Sequence, residues 1–302
     1  MVYTVTFSPA LDYVVRLGEL REGEVNRAER AHIVPGGKGI NVSVLLSRLG
    51  IPTRALGFCA GFTGSEIERR LAGLGIETDF IRTPGVSRIN VKLKAGKETD
   101  INAPGAEIGH WEFETLLKRL DDMETGSMLV LAGAVPEGLG TGVYEQILNR
   151  LRGREIRTAV DATGELFRRA LPCRPFLVKP NAQELGELLG EELKSPEEIV
   201  RGAKELVARG AQNVIVSLGG AGAVYANGEG EIFSLPAPRG TLVDSVGAGD
   251  SVVAGFLAGT LRGYSAKDAF RLGVAAGSAT AFSEWLAEGE DVERLFRSLP
   301  KL

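Results

Sequence analysis

Asp244-Ser245-Val246-Gly247-Ala248-Gly249-Asp250-Ser251 runs without a break into Val252-Val253-Ala254-Gly255-Phe256-Leu257. A glycine-rich turn feeding an apolar run predicts a helix over Gly249–Leu261. Its leading amides, those of Gly247, Ala248 and Gly249, then lack intrahelical partners. The helix dipole adds positive potential at that end, which suits the turn to an anion. Asp250 is the oddity, because a carboxylate there repels a bound phosphate unless it serves as a base beside a transferring group. Taken alone, the turn reads as an acidic helix start, favoured by the dipole by ~0.3–1 kcal/mol.

Outward from this helix the chain alternates between two periods. Tyr3–Ser8, Arg54–Ala60, Met128–Ala132, Arg157–Asp161, Phe176–Lys179 and Asn213–Leu218 read as strands. Helical patterns run between them, notably Trp111–Met123, Val143–Leu151 and Pro196–Arg209, the last capped by Ser195 with Glu198 in capping-box position. The small-residue helix Ala266–Ser283 is expected to pack closely on the opening helix. This alternation predicts a three-layer α/β/α core with a mostly parallel sheet. Tyr13–Leu17 with Ala28–Val34, and Ser87–Lys94 with Thr99–Asn102, read as two hairpins able to form a small separate sheet. Ile89, Val91 and Leu93 make one face of that sheet apolar, so the face is expected to cover something.

Composition narrows the function. The 302 residues are 25% charged and 44% hydrophobic, as in an ordinary soluble protein large enough for a sizeable core. A net charge of −4, with no basic run, argues against nucleic acid or an anionic membrane as the main partner. Two cysteines, Cys59 and Cys173, read as buried thiols, and two distant histidines, His32 and His110, cannot build a metal cage or a Ser-His-Asp triad. Met1–Phe7 alternates like a strand rather than a signal peptide, and no apolar helix reaches the ~20 residues of a membrane span. A cytoplasmic protein is expected.

Three further stretches carry chemistry. Gly36-Gly37-Lys38-Gly39-Ile40-Asn41 combines a glycine turn, a cation and a helix start, without the spacing of a Walker A loop or a dinucleotide fingerprint. Lys179-Pro180-Asn181-Ala182-Gln183-Glu184 ends a strand and opens a helix. Asn181 and Glu184 there stand either as a capping pair or as groups holding water around Mg²⁺. Val216-Ser217-Leu218-Gly219-Gly220-Ala221-Gly222 ends a strand in glycines that admit a flat base or ribose. Asp12, after Ser8-Pro9-Ala10-Leu11, reads as lying just beyond a strand end, where open α/β sheets place ligand groups.

In this order the stretches resemble the ribokinase-like sugar kinases of the phosphofructokinase-B family, over essentially the whole chain. The two signatures are Pro35–Val42 and Asp244–Ser251, with Lys-Pro-Asn-x-x-Glu between them. Val25-Asn26-Arg27-Ala28, Ser87–Lys92 and Glu98–Gly105 look most like the bacterial 1-phosphofructokinases, with tagatose-6-phosphate kinases second. Pro35 stands where alanine is usual, and Ser43-Val44 where the family often has Ala-Arg.

The resemblance implies a ribokinase-like core (1–11, 35–86 and 105–302) with a β-sheet lid (12–34 and 87–104). It implies ATP and Mg²⁺, and transfer of phosphate to fructose 1-phosphate. Tagatose 6-phosphate or fructose 6-phosphate are the alternatives, and an unphosphorylated sugar or nucleoside, or a silent sensor, the more distant ones. ATP is then bound by Lys179, Asn181, Glu184, Ser217, Gly219, Gly222, Ser245 and Val246, and by the Gly247-Ala248-Gly249 amides that form the anion hole. Asp12, Gly37, Lys38, Asn41, Arg88 and Asn102 take the sugar phosphate, with Lys38 and Arg88 at its phosphate. Asp250 is the base, Asn181 and Glu184 reach Mg²⁺ through water, and the lids pair in a homodimer.

Overall fold

The computed structural model describes the backbone of residues 1–302 and every side chain except that of Lys97. Strand β1 (Val2–Thr6) leads into β2 (Ala10–Arg16) and β3 (Arg30–Gly36). The chain continues through α1 (Lys38–Arg48), β4 (Thr53–Cys59), α2 (Gly61–Gly73) and β5 (Glu77–Arg82) before β6 (Arg88–Ala95) and β7 (Lys97–Ile101). Then come α3 (His110–Asp121), β8 (Met128–Ala132), α4 (Val143–Arg150), β9 (Arg157–Asp161), α5 (Gly164–Ala170) and β10 (Leu177–Val178). The last third holds α6 (Ala182–Leu189), α7 (Pro196–Ala208), β11 (Asn213–Ser217), β12 (Ala223–Asn227), β13 (Ile232–Leu235), α8 (Ala248–Leu261), α9 (Ala266–Ala281) and α10 (Gly289–Ser298).

The large sheet has nine strands in the order β13-β12-β11-β10-β9-β8-β1-β4-β5. All are parallel except β12 and β13, which pair antiparallel at one edge. Its central strands are buried on both faces, and period two sorts their residues between two cores. Leu129 and Leu131 of β8 pack with Phe113, Tyr144 and Phe167 beneath α3–α7. Met128 and Val130 pack with Leu45, Phe256 and Phe270 beneath α1, α8, α9 and α10. The expected three layers follow from that alternation.

The small sheet has the order β3-β2-β6-β7. The two hairpins join through a parallel β2–β6 pair that sets Asp12 opposite Asn90 and Tyr13 opposite Val91. Asp12 is therefore inside β2, not beyond a strand end, because Ser8-Pro9 interrupts the chain before the strand restarts at Ala10. The polar face of this sheet looks inward, with Asn90 and Lys92 buried. Its apolar face looks outward and leaves Tyr13, Ile33, Ile89 and Ile101 between 36% and 58% exposed.

Elsewhere the element ends move by a residue or two. Arg88 sits half-buried, and the Lys94 side chain is largely enclosed. Strand β5 and helix α10 had no counterpart in the sequence reading. Glu77, Thr78 and Asp79 give the edge strand β5 a polar start, and α10 buries only Val292. Among the described residues no helix is long and apolar enough to cross a membrane.

Candidate active site

The N-terminus of α8 meets the N-terminus of α1 at the carboxyl ends of β9 and β10. Gly247 caps α8 in the left-handed region (φ 78°), and a Cβ built on it would lie 2.6 Å from Leu286 Cδ2. Only glycine fits there. The amides of Gly247, Gly249 and Asp250 have no partner among the described residues, whereas the Ala248 N–H leans to the Ser245 carbonyl at 3.3 Å. Gly247 and Gly249 of the expected trio, together with the Asp250 amide, are thus free to meet an anion. Gly249 also leaves room for Lys179, whose Nζ would be 3.1 Å from a Cβ at that position.

Asp250 is buried, and Asn41 Nδ2 of α1 donates to its Oδ2 at 2.8 Å. Burial pushes its carboxyl up to about 7, and the nearby Asp161 adds to the shift, while Lys38, Asn41 and Lys179 oppose it. A carboxyl so placed can accept a proton near neutral pH.

Asp161, the last residue of β9, was not among the expected site residues. Its carboxylate takes Lys38 Nζ at 3.1 Å on Oδ2 and Lys179 Nζ at 3.6 Å on Oδ1. Burial raises it, but Lys179 and Lys38 together outweigh burial and hold the group below the ordinary carboxylate value. Lys38, expected at the substrate phosphate, is turned to this buried acid. Burial lowers its pKa, yet Asp161 and Asp250 bring the net shift upward. Two lysines and two aspartates thus share one centre, buried except for Lys38, beside the unpartnered amides of α8.

On one side opens a cleft of about 610 Å³ lined by Ser217, Gly219, Gly222, Ser245, Ala248 and Gly249, with Phe282 and Val274 among its apolar walls. Val246 lies off this cleft, and its N–H donates to Asp244 Oδ1 at 2.9 Å. Asn181 and Glu184 form a reciprocal capping box on α6, each side chain accepting from the other's backbone N–H at 2.8 Å. No group of three or more His, Cys, Asp or Glu converges as a metal cage among the described residues. Only one Glu184 oxygen is taken by the cap, and its charge is felt by Lys38. These residues fit an ion held by water and ligand phosphates, not one held directly.

On the other side stands the inward face of the small sheet. Asn90 Nδ2 donates to Asp12 Oδ1 at 2.8 Å, and Arg88 Nε donates to the Ser8 carbonyl at 3.1 Å. Burial raises the Asp12 pKa, opposed by Asn90, Lys92 and Arg88. The Asp12 carboxylate packs against Gly36, one residue before Gly37 caps α1 and two before the helix that delivers Lys38 and Asn41. Lys92 donates to Asp100 at 2.7 Å and to Asn102 Oδ1 at 3.3 Å, so Asn102 enters the site through Lys92. Ser43 and Val44 both point into the interior, Ser43 bonding Thr4 and Thr53 at 2.8 Å.

The chain matches the pfkB family carbohydrate kinase profile over residues 5–291. The chain belongs to the PfkB family. It is 46% identical to a 1-phosphofructokinase of Bacillus subtilis over 98% of this chain and 97% of that one. It is 35% identical to a D-tagatose-1-phosphate kinase of Bacillus licheniformis over 95% of each. Phosphofructokinase-2 from Escherichia coli, solved in complex with substrates and products, superposes with a TM-score of 0.95 at 30% identity, covering 99% of both chains. The fold is ribokinase-like, and this PfkB chain is an enzyme that transfers phosphate to a sugar hydroxyl.

Proposed function

We propose that this PfkB kinase transfers the γ-phosphate of ATP to fructose 1-phosphate, giving fructose 1,6-bisphosphate. The observation that carries the reading is Asp250, a buried carboxyl raised to about 7 beside three unpartnered amides at a helix start. In this reading Asp250 takes the proton of the attacking hydroxyl while the amides hold the transferring oxygens. Asp12 and Asn41 orient the sugar hydroxyls, and Arg88 meets the sugar phosphate. Lys38 and Lys179 balance the charge of the phosphate tail. The purine and ribose occupy the cleft by Ser217, Gly219 and Gly222. Mg²⁺, held by phosphate oxygens and water near Asn181 and Glu184, supplies further charge neutralisation. The small sheet acts as a lid that excludes water.

An ADP-release screen over fructose 1-phosphate, fructose 6-phosphate, tagatose 1- and 6-phosphates and free sugars tests the substrate. Fastest turnover is expected with fructose 1-phosphate. Preference for an unphosphorylated sugar would overturn the assignment. The tagatose 1-phosphate arm answers to the 35% identical tagatose-1-phosphate kinase, which shares the position of the phosphate.

Arg88→Ala should raise KM for the sugar phosphate about tenfold or more with kcat changed far less, since a charge-assisted contact to an ionised group contributes ~1.5–3 kcal/mol. An unchanged KM removes Arg88 from the site. The outward face of Tyr13, Ile33, Ile89 and Ile101 fits a second copy of the same sheet. Sedimentation should show a dimer that Ile89→Asp converts to monomer, and a wild-type monomer at micromolar concentration would reject the pairing.

A further inference from the structure

Two ion pairs tie the small sheet to the core, and both end on the walls of the anion hole. Lys94 of β6 places its Nζ 2.9 Å from Asp244 Oδ1 and 2.8 Å from Glu98 Oε1. The Lys94 and Asp244 side chains keep only 13% and 11% of their exposure. The same Asp244 oxygen accepts the Val246 N–H, one residue before Gly247. Arg30 of β3 pairs with Glu284 at 3.1 Å, and two residues later Leu286 packs where a Gly247 Cβ would be. Arg48 holds that second wall from behind by donating to the carbonyls of Leu286 and Ala287.

The two pairs are unequal. Arg30 and Glu284 are both more than half exposed, so their attraction is screened and contributes little. Lys94 and Asp244 are enclosed, and loss of Lys94 leaves Asp244 buried without its counter-charge, whereas Lys94 keeps Glu98 if Asp244 is lost. Burial lowers the Lys94 pKa, but Glu98 and Asp244 more than restore it, so the lysine is charged when seated.

We propose that Lys94 is a positioning residue that couples seating of the small sheet to the shape of the anion hole. The inference rests on the reading of the Gly247–Asp250 amides as that hole. With the sheet seated, Lys94 fixes the Asp244 carboxylate, Asp244 fixes Val246, and Gly247 is held in its left-handed cap. With the sheet displaced, the turn loses its charged tie and the hole loosens. Transfer then waits for the sheet to close over the sugar phosphate, which limits loss of phosphate to water.

The test uses full-length protein, with the substrate turned over fastest in the screen above. Lys94→Met keeps the aliphatic stem and removes the charge. It is expected to lower kcat at least about tenfold, with KM for the sugar phosphate moving less than about threefold, since small misplacements in such centres are costly. Lys94→Arg should recover most of the loss. Lys94→Met combined with Asp244→Asn should be no slower than the slower single variant, because both cut the same tie. A kcat within twofold of wild type for Lys94→Met, or independent multiplication of the two effects, overturns the proposal. So does a loss of kcat that follows a fall in melting temperature in both Lys94 variants. If Lys94→Met is inert while Asp250→Asn is inactive, the coupling fails and the anion hole stands. If Asp250→Asn retains turnover, the underlying reading fails instead.

Discussion

Asp250→Asn is expected to lower kcat by about three orders of magnitude while KM for either substrate stays within about threefold. The amide preserves volume and can still meet Asn41, so the change removes the proton acceptor with little else. Near-wild-type turnover would exclude Asp250 as the base. The wild-type enzyme should show the same group in its pH dependence. Transfer in this reading needs the ionised carboxylate, so kcat/KM, which reports the free enzyme, should rise as pH rises through about 7 and level off above it.

Stability should move the other way. The folded pKa lies above the ordinary value of 3.8, so the folded state binds this proton more tightly than the unfolded chain does. That stabilising contribution is fully present below 3.8 and is lost as pH rises through about 7. Asp250→Asn should therefore melt a few degrees higher than wild type at pH 8, with the gap closing toward pH 4. An equal gap at both ends would place the stabilisation elsewhere. In the proposed mechanism this cost in stability is tolerated because the reaction uses the buried charge.

Gly247→Ala should bring the second-largest loss, about 10²–10³-fold in kcat, the scale of one missing hole donor. The methyl group meets Leu286 at 2.6 Å, and the left-handed backbone (φ 78°) is strained for any residue with a Cβ. Relief comes by rotating the very amides proposed to face the transferring phosphoryl group. A melting temperature close to wild type combined with lost turnover would separate this effect from unfolding. Full activity would mean that the hole lies elsewhere.

The core was legible because its strands obey one rule, burial on both faces, and its helices carry their own caps. Ser195 and Glu198 form the expected reciprocal box at α7. Asn181 and Glu184 do likewise, so the simpler of their two readings holds for the free protein. The rule that ligand groups follow the carboxyl ends of sheet strands misplaced Asp12 in the fold without touching its expected role. Asp12 lies inside a strand of the small sheet, whereas Asp161 is an aspartate that does close a core strand, β9. Nothing local marks Asp161, since its two lysines come from positions 38 and 179. Long-range charge partners leave no spacing to read. The orientation of the small sheet was hidden for a related reason: alternation tells that two faces differ, but not which one a charged centre will claim.

The parallel β2–β6 pair has a consequence for how the chain reaches its native state. Asp12 and Asn90 are 78 residues apart in sequence yet share a hydrogen bond. Between them lie α1, β4, α2 and β5, and β4 takes its place in the large sheet beside β1. The small sheet therefore closes a long loop whose entropy is offset only after those intervening elements have packed. Its two halves are templates for each other and neither has a hydrophobic core of its own. During refolding, helical signal and core burial should return first and the substrate-facing carboxylates should come into register last, making recovery of activity the slowest phase.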